Sequence, residues 1–463
     1  MKTPREFTPY FPPMVVTNQK LTSATGLGTL LESFEESPLK KMFTAALPER
    51  VSPRSGGADR LGMIQLASFI QGHDCLADLE EFRTDPLLKE VMRGETVAPR
   101  TMGDFLRDFT PDHLLKMNGF LSAQSKSYRV QLEKHLKKQF KPSLAPRLSI
   151  DSTPHEQTGS KIEGVAWNYK DQWCLDSQVI FDELGFAWDF ILRSGNTKSG
   201  VGASDQIRRA FSSYKFGDEK YLSGDSAYCN QDVMTTCMGL GATFTITAHH
   251  GTTLWENHIS EIEKWEPWVY TEEEKNAATG GGRVLPEIQI GRFYWRPSWN
   301  NALRLPVVVK RMANTEEQLS FTEIEYKYYG VVTNFSLLDR SLQSVLEFHN
   351  KRGNAENFIR EEKYGYDLKH FPCLQMKANH AYGTLALVAH NLLRWVAIHD
   401  NPGRPRFSKG IRRKFIHVPG KIVSHARSIV LKVSHKFYEE VNLLRQALEL
   451  KPYPPIPGAC FSG

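Results

Sequence analysis

The alternation of elements between Arg147 and Ala248 constrains the fold most tightly. Strand-like runs RLSID, LDSQVIF and FAWDFIL are followed by a helical QIRRAF, then KYLSGDS, another helical stretch and GATFTITA. Strands separated by helices predict an α/β or α+β core. From about His249 to Tyr326 the chain turns aromatic and irregular, with Trp255, Trp265, Trp268, Trp295 and Trp299, a Gly280-Gly281-Gly282 turn and the β-rich runs EIQIGRFYW and LPVVVKR. The α/β character resumes with YYGVVTNF and a long helical region from Ser341 onward. A β-rich insertion at 249–325 therefore splits the predicted core into 146–248 and 326–400.

The flanks differ in period and charge. Over 1–145, apolar residues recur three and four apart in GTLLESF, MIQLASFI and LADLEEF, which predicts a helical amino-terminal domain. Pro99-Arg100-Thr101 reads as a helix start, with Thr101 as N-cap and Asp104 at the capping-box position. Arg100 and Arg107 then suit either a DNA groove or a solvated packing helix. A basic stretch at Lys134, Lys137, Lys138, Lys141 and Arg147 leads into the core. The 463 residues carry 58 Lys and Arg against 52 Asp and Glu, a net charge of +6. Asn401 to Tyr438 alone holds ten Lys and Arg and no acid. A one-signed patch in a basic helical tail at 401–463 predicts contact with a polyanion, with Arg412, Arg413 and Lys414 among its cations. The other reading, a solvated helix face, normally mixes both signs.

Composition excludes a disordered tail, a collagen-like fibre and a cystine-stapled miniprotein. Cys75, Cys174, Cys229, Cys237, Cys373 and Cys460 are scattered with no CxxC pair, which predicts reduced thiols and no zinc site. The apolar segment from Gln375 to Ile398 carries Lys377, His380, His390, Asn391 and Arg394, so it predicts a buried helix and no membrane contact. The opening MKTPREFTPYFPPMVV is broken by prolines and lacks the apolar region of a secretory signal, so a cytoplasmic protein is expected.

Three carboxylates stand where a divalent-metal site would want them. Asp151 ends the run LSI and Asp225 follows YLSG, each at the carboxyl edge of a predicted strand. A carboxylate there is held rigidly yet faces solvent, which suits a hard cation such as Mg²⁺. Taken alone, either reads as a turn residue. Glu356 lies in a helical run, with Arg352 four residues before it and Lys363 seven after, so the three share one helix face. An acid flanked in this way can hold a metal while the cations hold phosphate.

These blocks resemble the bacterial DDE transposases of insertion sequences, in particular the group whose third block reads Tyr-x2-Arg-x3-Glu-x6-Lys. Arg352, Glu356 and Lys363 match that spacing, and His349 holds the tyrosine position. IDSTPHEQTGSKIEGVAWNYK at 150–170, LRSGNTKSG at 192–200 and YLSGDSAYCNQDV at 221–233 are similar as well, and the likeness extends over most of 27–435. The resemblance implies an RNase H-like catalytic core interrupted by the β-rich insertion. It implies two Mg²⁺ or Mn²⁺ ions held by Asp151, Asp225 and Glu356, with Arg352 and Lys363 on phosphate or DNA. His349 would replace the tyrosine as a hydrogen-bond donor. It further implies double-stranded DNA as partner, cleavage at transposon ends, transfer of the freed 3′-hydroxyl into target DNA, and a homodimer that holds two ends. One ion would aim a water and the other would stabilise the leaving oxygen. A nuclease with the same triad, or a DNA-binding protein that has lost catalysis, fits the same residues.

Other positions carry less. Trp295 and Trp299, beside Arg292, Arg296 and Arg304, suit either stacking on an extruded DNA base or packing in a small β-domain. His155 reads as a polar loop residue. His249-His250 and His417, His425 and His435 lack ligand spacing, and Gly239-Leu240-Gly241 reads as a turn. Glu361 and Glu362 lack the flanking cations of Glu356.

Overall fold

A computed structural model describes residues 16–50, 57–92, 97–136, 145–313, 326–338, 340–425 and 428–454, with 12 and 14. Lys137, Lys138, Lys141, Arg427 and Cys460 lie outside the described residues.

The expected strand runs become β1 (Arg147–Glu156), β2 (Trp173–Asp182), β3 (Ala187–Ser194), β4 (Tyr221–Gly224), β5 (Thr243–Thr247), β6 (Ile288–Trp295), β7 (Leu305–Ala313) and β8 (Tyr326–Thr333). Together they form one mixed sheet in the order β3-β2-β1-β4-β5-β8-β7-β6, extended by two-residue strands at Ala166–Trp167 and Glu266–Pro267. Parallel pairing joins β1, β4 and β5, and the remaining neighbours are antiparallel. The described β-rich segment does not stand apart: Val331 of β8 pairs with Thr247 of β5, and β7 and β6 follow outward, so it lengthens the core sheet.

Alternation gives β1 two unlike faces. Leu148 and Ile150 join Ile180, Leu222, Phe244 and Ile246 in an apolar cluster. Ser149, Asp151, Thr153 and His155 turn to the other face, opposite Phe181, Val179, Ser177 and Leu175 of β2.

The main helices are α1 (Ala58–Gln71), α2 (Pro99–Arg107), α3 (Pro111–Leu136), α4 (Ala203–Ala210), α5 (Gln231–Gly239), α6 (Leu342–Asn350), α7 (Asn354–Gly365) and α8 (Met376–Asp400). Ile207 of α4 and Val233 and Met234 of α5 cover the first face. On the second, Val345 and Leu346 of α6 meet Val308 and Val331, and Phe358 and Ile359 of α7 meet Val179 and Phe181.

Helices α3 and α8 close the sheet at β3. An open edge presents unpaired backbone groups. Here Asn118 donates to Phe190 O at 2.9 Å and accepts from Phe190 N at 3.1 Å, while Ser122 and Ser125 donate to Trp188 O and Ala187 O, both at 2.7 Å. From α8, Asn391 accepts from Ala187 N at 2.7 Å and His380 Nε2 donates to Phe190 O at 3.0 Å. Asn391 and His380 of this apolar helix therefore serve the sheet edge. Among the described residues, no helix is long and apolar enough to cross a membrane.

The amino-terminal helices do not form a core of their own. Phe34, Phe43, Phe69, Phe105 and Phe120 belong to the same cluster as Phe186, Phe190, Tyr366 and Leu387. Two local expectations are corrected. Helix α2 starts from Ala98 with Pro99 in its first turn, so Thr101 lies inside the helix, and Asp104 pairs with Arg107. The carboxyl-terminal region is not helical throughout: Gly420–His425 and Ser428–Lys432 form a hairpin that pairs with Lys20–Thr22, and the helix His435–Ala447 follows.

A candidate active site at the ends of parallel strands

Strand register sets the site. Ile150 lies opposite Gly224, and Gly224 opposite Ile246, so Asp151, Asp225 and Thr247 are the next positions of one row. Adjacent strands stand ~4.8 Å apart, which places the two aspartates side by side. Strand β1 continues to Glu156 against β2, so Asp151 lies inside a strand, at the point where its parallel neighbour stops. Asp225 leaves β4 and caps the turn Ser226–Tyr228, accepting from Ala227 N at 2.9 Å.

Helix α7 brings the third acid to this face. Phe358 packs on Phe181, with ring centroids 5.7 Å apart, and on the β2–β3 turn at Gly185. A Cβ at Gly185 would come within 2.4 Å of the Phe358 ring, and its φ of +88° favours glycine as well. Arg352 lies in the turn before α7 and exposed Glu356 in its first turn. Burial, then the Asp225 and Glu356 carboxylates, push the Asp151 carboxyl up to about 6, while the Ser152 N–H and the Arg352 charge pull it down. Lys363 is half-buried and donates to Pro154 O at 2.7 Å, three residues along β1 from Asp151.

The LRSGNTKSG block is tied to the same strand. Ser152 Oγ donates to Ser199 Oγ at 2.8 Å, and Arg193, paired with Asp176, donates to Ser199 O at 3.2 Å and Val201 O at 2.8 Å. Further along β1, His155 is a buried strand residue and not a loop residue: its Nε2 lies 2.7 Å from Ser177 Oγ and 3.9 Å from Glu362. Burial lowers His155 to about 3 and raises Glu362 to about 8. Glu362, on the buried side of α7, thus holds its proton up to about pH 8, and Glu361 accepts from Ser408 N at 2.7 Å.

Several other expected contacts point inward. His349 is fully buried on β5 and β8, so its ring is closed to DNA. Trp295 is 6% exposed within the apolar cluster, and half-buried Trp299 packs against that cluster. Alternation turns Tyr294, not Trp295, outward. Arg412 is also no free cation. Its Nε donates to Ile70 O at 3.0 Å, Nη2 to Phe69 O at 2.8 Å and Nη1 to Gly365 O at 2.8 Å, which caps the last carbonyls of α1 and ties them to the end of α7. Lys414 pairs with Asp400, whereas Arg413 and Arg100 are exposed. Thr247, in the row of the aspartates, and Tyr329 and Lys310, two and three strands from Asp225 on the same face, were not singled out by the sequence. The polar alternation Thr243-Thr245-Thr247 was the available signal for Thr247.

Among the described residues, Asp74, Cys75 and Asp78 are the three metal-capable side chains that close to within 4.8 Å of one another, so the set around Asp151 is wider. A mixed sheet with carboxylates in register on parallel strands, and a third on the covering helix, is compatible with a DDE nuclease fold. The family model for transposase DDE domain group 1 matches residues 14–454, and the chain belongs to that family. Comparison with curated proteins gives no match. Membership carries a transposase function with DNA as partner.

Proposed function

We propose that the chain cuts DNA at the inverted-repeat ends of its own element and joins the freed 3′-hydroxyls to target DNA, using Asp151, Asp225 and Glu356 on an RNase H-like core. The observation that carries this is the row of Asp151 and Asp225 across β1 and β4, with Glu356 and Arg352 acting on Asp151. The order β3-β2-β1-β4-β5, antiparallel through β1 and parallel after it, supports the RNase H-like reading.

The donor set fits a hard divalent cation. Three carboxylates act on one another where burial, then like charge, pushes the Asp151 carboxyl up, and a cation would relieve that repulsion. Asp151, Asp225 and Glu356 would hold two Mg²⁺ or Mn²⁺ ions, which when bound supply Lewis acidity at the attacking and leaving oxygens of a phosphodiester. The protein's own groups do the positioning. The β1 backbone holds Asp151, the Ala227 N–H holds Asp225, and Arg352 offsets the negative charge that the acids and a phosphate bring together. Lys363 has N–H bonds beyond the one it gives to Pro154 O for a strand backbone. In cleavage, water attacks phosphorus and the P–O3′ bond breaks. In joining, the 3′-hydroxyl takes the place of water, so one site serves both steps. Exposed Arg100 and Arg413 would contact flanking DNA, and a homodimer would hold the two ends.

The test is cleavage and joining on DNA carrying the element's flanking ends with Mg²⁺ or Mn²⁺. Wild type should cut and join, whereas Asp151→Ala, Asp225→Ala and Glu356→Ala should each lose about 10³-fold or more in rate while still binding DNA. Cutting without joining would reduce the protein to a nuclease, and binding without cutting would make it a retired enzyme.

A further inference from the structure

Beyond the aspartates the row reaches Thr247, one strand spacing (~4.8 Å) from Asp225. Thr247 belongs to a closed triangle of hydrogen-bonding atoms. Its Oγ1 lies 3.0 Å from the Tyr329 hydroxyl and 3.1 Å from His349 Nε2, and the Tyr329 hydroxyl lies 2.9 Å from the same nitrogen. On the far side of the ring, His349 Nδ1 lies 3.2 Å from Thr245 O. A carbonyl only accepts, so Nδ1 carries the ring proton. Burial, then the nearby Arg352 charge, lowers the ring to about 4 and keeps it neutral, leaving Nε2 as a bare acceptor.

The protons of the triangle can be counted. Thr247 and Tyr329 bring two hydroxyl protons, and Nε2 needs one of them. When Thr247 satisfies Nε2, the Tyr329 O–H is released from the ring and can turn either to Thr247 Oγ1 at 3.0 Å or outward to a ligand. Tyr329 is half-buried, and its cross-strand partner Lys310 holds Nζ 5.5 Å from the ring centroid. Arg352 is close enough to His349 to depress its basicity. A neutral donor beside one cation, Lys310, with a second, Arg352, near the His349 it contacts, therefore stands on the same sheet face as the aspartates, within two strands of Asp225.

Resting on the transposase reading above, we propose that Tyr329 and Lys310 form a phosphate-binding point, shared with Arg352, for the backbone of the DNA strand that runs past the acidic row. The Tyr329 O–H donates to a non-bridging phosphate oxygen while the Thr247 O–H occupies His349 Nε2. His349 and Thr247 are positioning residues, since they act through Tyr329.

Neutral and charged contacts separate by salt. Anisotropy of a fluorescein-labelled duplex carrying the element's ends, measured across a salt series, reads both affinity and slope. Tyr329→Phe keeps the ring and removes the O–H. It should weaken binding about five- to tenfold at every salt concentration with an unchanged slope, because a neutral donor releases no counterion. Lys310→Ala should weaken binding and make the slope shallower by about 0.9. Thr247→Val forces the Tyr329 proton onto Nε2, so it should weaken binding as Tyr329→Phe does, and the double variant should be no worse than either single one. Wild-type affinity in Tyr329→Phe, or a changed slope there, overturns the inference while leaving cleavage by the wild type to stand. A wild type that neither binds nor cuts the duplex removes the transposase reading first.

Discussion

At its β3 edge the sheet spends polar side chains on its own backbone, whereas on the β6–β8 wing it leaves them at the surface. Asn118, Ser122, Ser125 and Asn391 are buried and face the carbonyl and amide groups of β3. On the wing, Arg292 and Arg304 flank exposed Tyr294 at 5.8 and 5.3 Å, and Arg311 lies 4.1 Å from Trp265 and 4.5 Å from Tyr326. Short amides and hydroxyls thus satisfy the backbone at one end, while long cations lie over aromatic rings at the other. Asn391→Ala breaks the first half of the comparison. Its amide also reaches Ala187 O, Ser125 Oγ and Gln124 Oε1 at 2.9–3.2 Å, so truncation strands several buried groups and is expected to cost about 3 kcal/mol in urea unfolding. Arg292→Ala should stay within about 0.5 kcal/mol. Similar costs for the two would erase the distinction between the ends.

Two adjacent cations sharpen the contrast. Arg412 and Arg413 are neighbours in a run without acids, yet the first is buried on carbonyls and the second is exposed. Arg412→Ala leaves Phe69 O, Ile70 O and Gly365 O without that donor and loosens the hold on α7, so it is expected to cost about 2 kcal/mol by thermal unfolding. Its effect on the salt slope of DNA binding should be nil. Arg413→Ala should leave unfolding unchanged and reduce the slope by about 0.9 if it faces phosphate. Equal slopes in both variants would place DNA elsewhere.

What was legible in the sequence was local. Each strand of the sheet is a short apolar run, so most elements could be read. The spacing around Glu356 put it and Lys363 on one helix, whereas Arg352 falls in the turn before that helix. Pairing partners could not be read. Nothing in EIQIGRFYW says that it extends the sheet of Arg147–Ala248 through β7 and β8. The side of Trp295 was readable, because alternation in Arg292-Phe293-Tyr294-Trp295 sets the arginine and tyrosine outward and the tryptophan inward. Arg412 and His349 resisted for a different reason. Their partners are Phe69 and Ile70 in one case, and Thr245, Thr247 and Tyr329 in the other, all far off in the chain. A carbonyl acceptor leaves no mark on sequence.

Glu362 tests the polar face at its deepest point. Among the groups around it, Ser177 Oγ is 3.4 Å away and His155 is held neutral, while Lys363 lowers and Asp176 raises its pKa. Burial outweighs them and lifts the carboxyl from its usual 4.5 to about 8. The folded state therefore holds a proton that the unfolded chain releases above about pH 4.5, and this contribution to stability is full below that pH and lost as pH rises towards 8. Glutamine keeps the shape of the neutral acid and never ionises. Glu362→Gln should match wild type in melting temperature at pH 5 and exceed it at pH 8.5. A gap that does not widen with pH would mean that Glu362 ionises in the folded protein at no cost.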